Sequence, residues 1–498
     1  LFMAIAEHMG TALQKTAWSA NIKERLDFSC ALFDRDGRLV ANAPHVPVHL
    51  GSMGESVRAV IAEHSPKMKA GDVYLLNNPY QGGTHLPDLT VISPCFDDDG
   101  RILFFTASRA HHADIGGITP GSMPPDSRHI DQEGVLLTNV LAVSEGRLQE
   151  QSLRDLFSAG PYPARNVDQN MSDLRAQIAA NARGIRELKE MTAHFGQDVV
   201  EAYMEHVQHN AAEQVRRVID RLEDGHWIKQ MDTGAQVEVR VTVDREKRTA
   251  VIDFSGTSDQ QPDNFNAPAA VTRACVLYVL RTLVADDIPL NDGCMVPIEL
   301  VIPEGSLLNP THPAAVVAGN VETSQVIADT LLAAMGVLAN SQGTMNNLTF
   351  GNERYQHYET LCGGGGAGDG FDGCDAVHVH MTNSRLTDPE ILESRFPVLL
   401  EGFCIRPDSG GAGKWRGGHG AERRIHFLEP MTVALLANSR RVAPSGLKGG
   451  ASGKTGQARI ERANGDKLKL AGADQAEVAA GDTLVIQTPG GGGFGPAA

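Results

Sequence analysis

The sequence has 498 residues, with 44 lysines and arginines against 61 aspartates and glutamates, which gives a formal net charge of −17 at pH 7. This surplus of carboxylates excludes proteins that bind nucleic acid or anionic lipid by neutralising phosphates. Hydrophobic residues make up 42% and charged residues 21%, as in ordinary globular proteins, and the length predicts about two to four domains. Glycine is in excess, with 52 residues, and predicts many tight turns.

The first part of the chain predicts alternating helices and strands. Phe2, Ile5, Met9 and Leu13 have helical spacing, so the chain should open on an amphipathic helix. The segment 34–37 ends in Asp-Gly, a strong signal for a β-hairpin between strands at 26–32 and 38–41. A helix is then predicted at 52–64, and strands are predicted at 73–76, 89–92 and 102–107.

The middle of the chain predicts a long helical hairpin. Residues 167–222 contain no proline, keep the helical spacing of apolar residues and are interrupted near Gly196. A β-hairpin at 236–243 and 249–254 and buried helices at 269–284 and 322–339 are predicted to follow. From residue 362 onward the sequence is glycine-rich and strand-like, including 432–436 and 458–462.

These elements predict an α+β fold with several domains, mixed sheets, a long helical hairpin in the middle and a glycine-rich β region at the C-terminus. We expect an α/β domain with a metal site, the helical hairpin, a second α/β domain and a β-rich C-terminal domain, at residues 1–165, 166–230, 231–360 and 361–498. The glycine runs lack the Gly-x-x-x-x-Gly-Lys-Ser/Thr pattern of a phosphate-binding loop, and no Gly-x-Gly-x-x-Gly follows a clear strand. No cofactor-binding residues are therefore predicted for a nucleotide.

Seven cysteines are scattered along the chain, odd in number and without a Cys-x-x-Cys pair. This pattern favours a reducing compartment, so we expect a cytoplasmic protein without disulfides or a zinc knuckle. No apolar run approaches the ~18–20 residues that span a bilayer, so no membrane segment is expected. The sequence begins at Leu1 and not at methionine, which leaves room for an N-terminal segment.

The densest cluster of polar side chains of catalytic type surrounds a Pro-Asp pair and a His-His pair. Pro87 biases the backbone before it to an extended, polyproline-like conformation that turns about once in three residues, so His85 and Asp88 can point the same way. A third ligand from the next strand, His111 or His112, would complete a metal site of two histidines and one carboxylate. The alternative is that these residues cap strand ends in a loop.

Adjacent residues of a strand face opposite sides, so we expect one histidine of the pair to bind the metal directly. The other, with Asp114, would support the ligands or carry protons. His45 and His49 could join the same pocket, although the favoured interpretation of this second pair alone is a turn whose polar groups are satisfied. Cys362 is interpreted as a buried thiol and not as a nucleophile.

Eight segments together resemble one family, the hydantoinase B and 5-oxoprolinase family, whose relatives include subunits of acetone and acetophenone carboxylases. The resemblance covers nearly the whole chain in the order of the family. The segments are 24–29, 45–53, 82–88, 110–117, 288–293, 303–309, 343–347 and 409–418.

The resemblance implies a hetero-oligomer in which a separate A-type subunit uses ATP to phosphorylate the carbonyl oxygen of a cyclic amide, and this B-type chain opens the activated ring. It implies a divalent metal, manganese, zinc or iron, bound by His85, Asp88 and His111, although the alignment can slip by one residue because His112 follows. When bound, the metal would lower the pKa of a water toward ~7 or polarise the carbonyl. Asp114 or His112 would be the catalytic group that supplies the proton to the leaving ring nitrogen.

Two other functions fit the same resemblance. One is a subunit of an ATP-dependent ketone carboxylase, which bicarbonate-dependent product formation would distinguish from a hydrolase. The other is a non-catalytic scaffold for the ATPase subunit, which would need no tightly bound metal. The late glycine runs are expected to form turn-rich β structure and a docking surface for the A-type partner.

Overall fold

A computed structural model describes residues 1–497 of the chain. The helices are α1 (Phe2–Thr16), α2 (Ala20–Lys23), α3 (Pro47–His64), α4 (Glu150–Phe157), α5 (Val167–Phe195), α6 (Gln197–Ile219), α7 (Ala269–Leu283), α8 (Ser324–Ala334) and α9 (Pro389–Arg395). The strands are β1 (Phe28–Asp34), β2 (Leu39–Asn42), β3 (Val73–Leu76), β4 (Asp88–Phe96), β5 (Ile102–His111), β6 (Val140–Ser144), β7 (Arg147–Leu148), β8 (Gly225–Gln230), β9 (Gln236–Asp244), β10 (Thr249–Asp253), β11 (Ile298–Val301), β12 (Asn347–Gly351), β13 (Gln356–Glu359), β14 (Val398–Ile405), β15 (Ala421–Phe427), β16 (Met431–Leu436), β17 (Gln457–Glu461), β18 (Lys467–Leu470), β19 (Ala473–Val478) and β20 (Thr483–Gln487).

The first part of the chain forms a seven-stranded antiparallel sheet in the order β2-β1-β5-β4-β3-β6-β7. Alternate residues of β5 point to opposite faces of this sheet. Thr106 and Ser108 donate to the backbone carbonyls of Asn181 and Gln177 on α5, whereas Arg109 donates to serines of α3. The sheet is therefore covered by α5 on one face and by α3 on the other, and the centre of β5 is buried.

Three smaller sheets follow. Strands β8 to β11 form a mixed sheet in the order β11-β10-β9-β8, in which β10 and β11 are parallel. Helix α8 packs on β8 and β9, and α7 packs against both α8 and α3, which joins this sheet to the first one. The antiparallel sheets β13-β12-β16-β19 and β14-β15-β20-β17-β18 share one hydrophobic core that includes Phe350, Phe427 and Ile460.

The structure confirms the α+β class and the long helical hairpin in the middle of the chain. This hairpin breaks between α5 and α6 at Gly196, whose φ of 87° favours glycine because residues with a side chain rarely adopt it. The predicted N-terminal helix is confirmed as α1, and the predicted β-hairpins are confirmed as β1–β2 and β9–β10.

Two predicted helices have different ends in the structure. The helix predicted at 52–64 begins earlier, at Pro47, because proline suits the first turn of a helix, where its missing N–H is not needed. The helix predicted at 322–339 begins with a π-helical turn at Gly319–Thr323 and ends at Ala334, shortly before Gly336 adopts a φ of 69°.

The four-domain division stays a prediction. Its boundary at residue 360 falls between strands of one sheet, because β12, before the boundary, pairs with β16, after it. Of the four sheets, one is mixed, as predicted, and three are antiparallel.

Most glycines of the late runs are buried, and their backbone segments pack directly against one another. A Cβ atom on Gly364 would clash with the carbonyl oxygen of Gly418, and one on Gly491 would clash with the carbonyl oxygen of Gly365. Much of the glycine excess is therefore explained by close backbone packing. The expected docking surface for a partner stays a prediction, and the exposed part of the first run lies at residues 369–372.

Among residues 1–497 no helix combines the length and the apolar character that crossing a lipid bilayer requires. All seven cysteines are free, as predicted, and Cys362 is buried. Burial raises the pKa of the Cys362 thiol to about 11, which agrees with the interpretation of an unreactive thiol.

Candidate metal centre

The register of two neighbouring strands brings the predicted ligands together. Asp88 begins β4 and pairs with His111 at the end of β5. His85 lies in the loop before β4, and its carbonyl oxygen accepts a hydrogen bond from the N–H of Asp88 (3.1 Å). The turn that this bond closes contains Pro87, and it brings the side chains of His85 and Asp88 to within contact distance of each other, as predicted.

The three side chains converge in the protein interior. His85 Nε2 lies 3.1 Å and His111 Nδ1 lies 3.4 Å from Asp88 Oδ1. The exposed fractions of His85, Asp88 and His111 are 0%, 1% and 2%, so bulk water does not reach them. One ligand atom from each residue lies within 4.8 Å of the others, and the group could therefore hold a metal ion.

The unpaired atoms of this group fit a bound cation. His85 Nε2, Asp88 Oδ1 and His111 Nε2 have no hydrogen-bond partner among residues 1–497, although all three are buried. Buried polar atoms in native proteins are nearly always paired, so three unpaired atoms on one group of neighbouring side chains need an explanation. Two imidazoles and one carboxylate are a common ligand set for divalent transition metals.

The second oxygen of Asp88 is held by protein donors. Thr84 Oγ1 donates to Asp88 Oδ2 at 3.0 Å, Asn320 Nδ2 donates at 3.2 Å, and His49 Nε2 lies at 3.2 Å. Because these neighbours all contact Oδ2, Oδ1 is left facing His85 and His111. The protein therefore orients the carboxylate toward the two histidines by itself.

The protonation states of the group also suit a metal. Burial alone would raise the pKa of Asp88, but His85 and His49 nearby hold this pKa well below its usual range. Burial lowers the pKa of His111. An ionised carboxylate and a neutral imidazole are the forms that bind metals, so no proton needs to be displaced from these two groups at pH 7.

A buried glutamate supports His85 through the backbone. His85 Nδ1 lies 3.4 Å from the carbonyl oxygen of Val317, and the N–H groups of Val316 and Val317 donate to Glu133 Oε1 (3.0 Å each). Burial raises the pKa of Glu133 to about 7. Glu133 thus fixes the backbone of Val316 and Val317, against which the His85 ring lies.

His49 lies in the pocket, although its sequence context alone favoured a turn. The early start of α3 at Pro47 places His49 in the first helical turn, where Nδ1 contacts Ser29 Oγ at 3.3 Å and Nε2 contacts Asp88. His45 does not join the group, because its Nδ1 accepts from the N–H of Cys30 (3.0 Å).

Sequence reasoning missed the residues that pack on His111. The ring of Tyr358 stacks on the His111 ring, with centroids 4.5 Å apart and an interplanar angle of 17°. The guanidinium carbon of Arg25 lies 4.6 Å from the Tyr358 ring centroid. Arg25 lies in a segment that carried the family resemblance, but no local signal in the sequence pointed to Tyr358.

His112 and Asp114 form hydrogen bonds with residues outside the candidate metal centre. His112 Nε2 contacts Gln177 Oε1 (3.0 Å) and Nδ1 contacts Asn170 Nδ2 (3.1 Å), both on α5. Asp114 Oδ2 accepts from Arg165 Nη1 (2.9 Å), and both its oxygens accept from backbone N–H groups. Within residues 1–497, neither side chain forms a hydrogen bond or ion pair with His85, Asp88 or His111.

Two 5-oxoprolinases are similar to this chain in sequence. A 5-oxoprolinase from Dictyostelium discoideum is 47% identical over 503 residues, which cover 99% of this chain and 39% of that protein. A 5-oxoprolinase 1 from Arabidopsis thaliana is 47% identical over 521 residues, covering 99% of this chain and 41% of that protein. The chain thus spans about two fifths of the length of these relatives.

The fold matches the crystal structure of an ATP-dependent caprolactamase from Pseudomonas jessenii, with a TM-score of 0.89 and 24% identity over 99% of this chain and 89% of that one. It also matches a nucleotide-free acetone carboxylase, with a TM-score of 0.89 and 20% identity over 99% of this chain and 74% of that one. At these identities the matches show a shared fold. The sequence pattern of the hydantoinase B/oxoprolinase family covers residues 1–497, and the chain belongs to this family.

Proposed function

We propose that this chain is the ring-opening B-type component of an ATP-dependent cyclic-amide hydrolase of the 5-oxoprolinase type. The observation that carries the proposal is the buried group of His85, Asp88 and His111 with its unpaired ligand atoms. The identity of 47% to 5-oxoprolinases over almost the whole chain supports the choice of a cyclic amide as substrate.

His85, Asp88 and His111 would hold a divalent ion, which we propose to be manganese, zinc or iron. When bound, such an ion supplies Lewis-acid polarisation and lowers the pKa of water toward ~7. The remaining residues prepare the site: Thr84 and Asn320 fix the Asp88 carboxylate through its Oδ2. The burial of the group keeps bulk water away, which strengthens electrostatic interactions within it.

We propose that ATP is used by a separate A-type partner in a hetero-oligomer. The 498 residues contain no Gly-x-x-x-x-Gly-Lys-Ser/Thr motif, and the relatives are more than twice as long as this chain. Phosphorylation of the amide oxygen on the partner would make the ring carbon more electrophilic, so that water adds to it. The C–N bond would then break, with a proton going to the ring nitrogen, and a second water would hydrolyse the remaining acyl phosphate to the carboxylate and inorganic phosphate. This chain would then bind the activated ring in a site from which bulk water is already excluded.

The proton for the leaving ring nitrogen needs a donor. The family resemblance makes His112 and Asp114 candidates. The side chains of both residues are already hydrogen-bonded to other groups of the protein. His49 is a further candidate, because its Nε2 lies 3.2 Å from Asp88 Oδ2, which places its ring beside the carboxylate of the candidate metal centre.

A ketone carboxylase subunit is the second candidate function, and the fold match to an acetone carboxylase favours it. A scaffold without catalysis is the third, but unpaired buried ligand atoms have no use in a scaffold. The two enzymatic functions share a metal site and differ in their co-substrate.

The test is co-expression with an A-type partner, followed by ATP-dependent turnover of 5-oxoproline, hydantoins and simple ketones, each with and without bicarbonate. The proposal expects ring opening of a cyclic amide that does not depend on bicarbonate. Product formation from a ketone that strictly needs bicarbonate would establish the carboxylase instead. ATP-dependent ring opening at the full wild-type rate by His85→Ala would contradict the role of the site.

A further inference from the structure

A cavity of about 470 Å³ opens beside α2, and Asn21 in its lining contacts Arg25. Its charged rim consists of Lys23, Arg354 and Arg395, and no aspartate or glutamate lines it. The whole chain carries a net charge of −17, so a lining with three cations and no carboxylate is the reverse of the average surface. A concentration of positive charge in a concave site favours anionic ligands.

The rim cations are largely free to bind a ligand. Lys23 and Arg354 form no ion pair with a carboxylate of residues 1–497, and Arg395 has one long contact, 3.5 Å from Nη2 to Glu24 Oε1. The Arg354 guanidinium lies over the ring of Tyr355, at 4.8 Å from the centroid, which holds it at the cavity. These cations are therefore available to a ligand without the loss of a strong ion pair.

Two buried polar atoms in the cavity lining lack partners. Asn21 and His357 are each 2% exposed, and Asn21 Nδ2 and His357 Nδ1 form no hydrogen bond within residues 1–497. The opposite ends of both side chains are engaged, Asn21 Oδ1 by Arg25 Nη1 (3.5 Å) and His357 Nε2 by Glu359 Oε2 (3.5 Å). Unpaired buried donors and acceptors are rare, and two of them on residues that line one cavity favour a polar ligand there.

We propose that this cavity binds a small oxyanion that also carries a hydrogen-bond donor. Asn21 Nδ2 and the rim cations would donate to its oxygens. A neutral His357 that donates Nε2–H to Glu359 presents Nδ1 as an acceptor, and this atom would accept from an O–H or N–H of the ligand. Hydrogen phosphate has this chemistry, and so does a small carboxylate with an amide or amino group.

The cavity is linked to the candidate metal centre by a short chain of contacts. Asn21 contacts Arg25, Arg25 lies over Tyr358, and Tyr358 stacks on His111. An oxyanion at Asn21 would therefore lie near Arg25, which contacts the ring that packs on His111. The inference itself does not depend on the proposed function, because it concerns binding to this chain alone.

Isothermal titration of the purified full chain with sodium phosphate, 5-oxoproline and glutamate, at constant ionic strength, tests the inference. We expect saturable binding of phosphate or of the carboxylates. The anion that binds shows whether the natural ligand of the cavity is phosphate or a small carboxylate. Trp18 lines the cavity and is 69% exposed, so binding should also change tryptophan fluorescence, and Trp18→Phe should remove that change.

Charge variants at the rim provide the control. Arg354→Gln should weaken binding by about fivefold or more, and Arg354→Glu should abolish it, because charge-assisted hydrogen bonds to an anion are strong. Arg186→Glu makes the same change on the exposed surface of α5 and should leave binding unaltered. Equal binding by the wild type and Arg354→Glu, or no saturable binding of any of the three anions, would overturn the inference.

Repeating the titration after chelation of metals separates this inference from the proposed function. We expect the anion affinity to be the same with and without chelator. Anion binding by a chain that opens no cyclic amide would support this site and contradict the enzymatic role. A working hydrolase whose anion binding is absent would contradict this site alone.

Discussion

Asp88 lies directly opposite His111 across β4 and β5, and the two oxygens of its carboxylate have different neighbours. Oδ2 accepts from Thr84 and Asn320, whereas Oδ1 faces His85 and His111 and has no hydrogen bond. The protein thus orients one oxygen with its own donors and leaves the other for a ligand. A site prepared in this way binds a cation without first reorganising its carboxylate.

Thr84→Val removes one donor to Asp88 Oδ2 while keeping the shape of the side chain. We expect the metal affinity of the chain to fall by roughly tenfold, because groups that orient metal ligands contribute on this scale. Competition with a fluorescent chelator measures it. Thr192→Val, on α5 and bonded to the carbonyl of Leu188, is the matched control and should not change metal affinity. Equal affinities for the two variants would show that Thr84 has no such role.

Tyr358 contributes a ring that packs on His111 and a hydroxyl that donates a hydrogen bond, and two variants distinguish these contributions. Tyr358→Phe keeps the ring on His111 but removes the hydroxyl that donates to Asn347 Oδ1 (2.8 Å), so we expect stability to fall by about 1 kcal/mol with metal affinity unchanged. Tyr358→Leu also removes the ring, so metal affinity should fall as well. Chemical denaturation and metal titration measure the two quantities. Unchanged metal affinity in Tyr358→Leu would contradict a positioning role for the ring.

Three variants identify the proton donor: His49→Gln, His112→Gln and Asp114→Asn. The donor is the residue whose loss lowers kcat by about 10²–10⁴ while the bound metal is retained. From its contact with Asp88 we expect this loss at His49. Turnover and metal content are measured on the same preparations. A full-rate His49→Gln together with a strong loss at His112 or Asp114 would assign the role to the residues that the family resemblance implies.

His45 should make stability depend on pH. Burial, followed by repulsion from His49, lowers its folded pKa to about 4 from 6.5. Below pH 6.5 the unfolded chain takes up a proton that the folded chain does not, so this residue lowers the free energy of unfolding by about 2 kcal/mol between pH 7 and pH 5. His45→Asn keeps an acceptor for the Cys30 N–H but cannot be protonated. The stability difference between wild type and variant should shrink toward pH 5, and a difference independent of pH would contradict a neutral buried His45.

The packed glycines should tolerate no side chain. In Gly491→Ala the new methyl group would clash with the backbone of Gly365, so we expect a loss of about 3 kcal/mol or more. Gly402→Ala on β14 is the control, because its nearest neighbour would lie 3.7 Å away and its stability should change little. Thermal denaturation measures both. Similar stability of the two variants would contradict the close backbone packing.

Local patterns predicted most elements of this fold and the proximity of His85 to Asp88 in the candidate metal centre. Helical spacing predicted α1 and the α5–α6 hairpin, and the turn at Pro87 predicted that His85 and Asp88 act together, because each signal lies within a few residues. Tyr358 and Asn320 carried no such signal, since they reach the site through long-range packing. The role of His49 depended on where α3 begins, and helix ends are the least determined feature of a sequence.

The most direct test of the central claim is the rate of 5-oxoproline opening by the enzyme reconstituted with its A-type partner, measured before chelation, after chelation and after metal is added back. We predict that chelation abolishes ring opening and that one equivalent of a divalent metal per chain restores it in the wild type but not in His85→Ala. Full ATP-coupled ring opening by a metal-free wild-type chain would contradict the account.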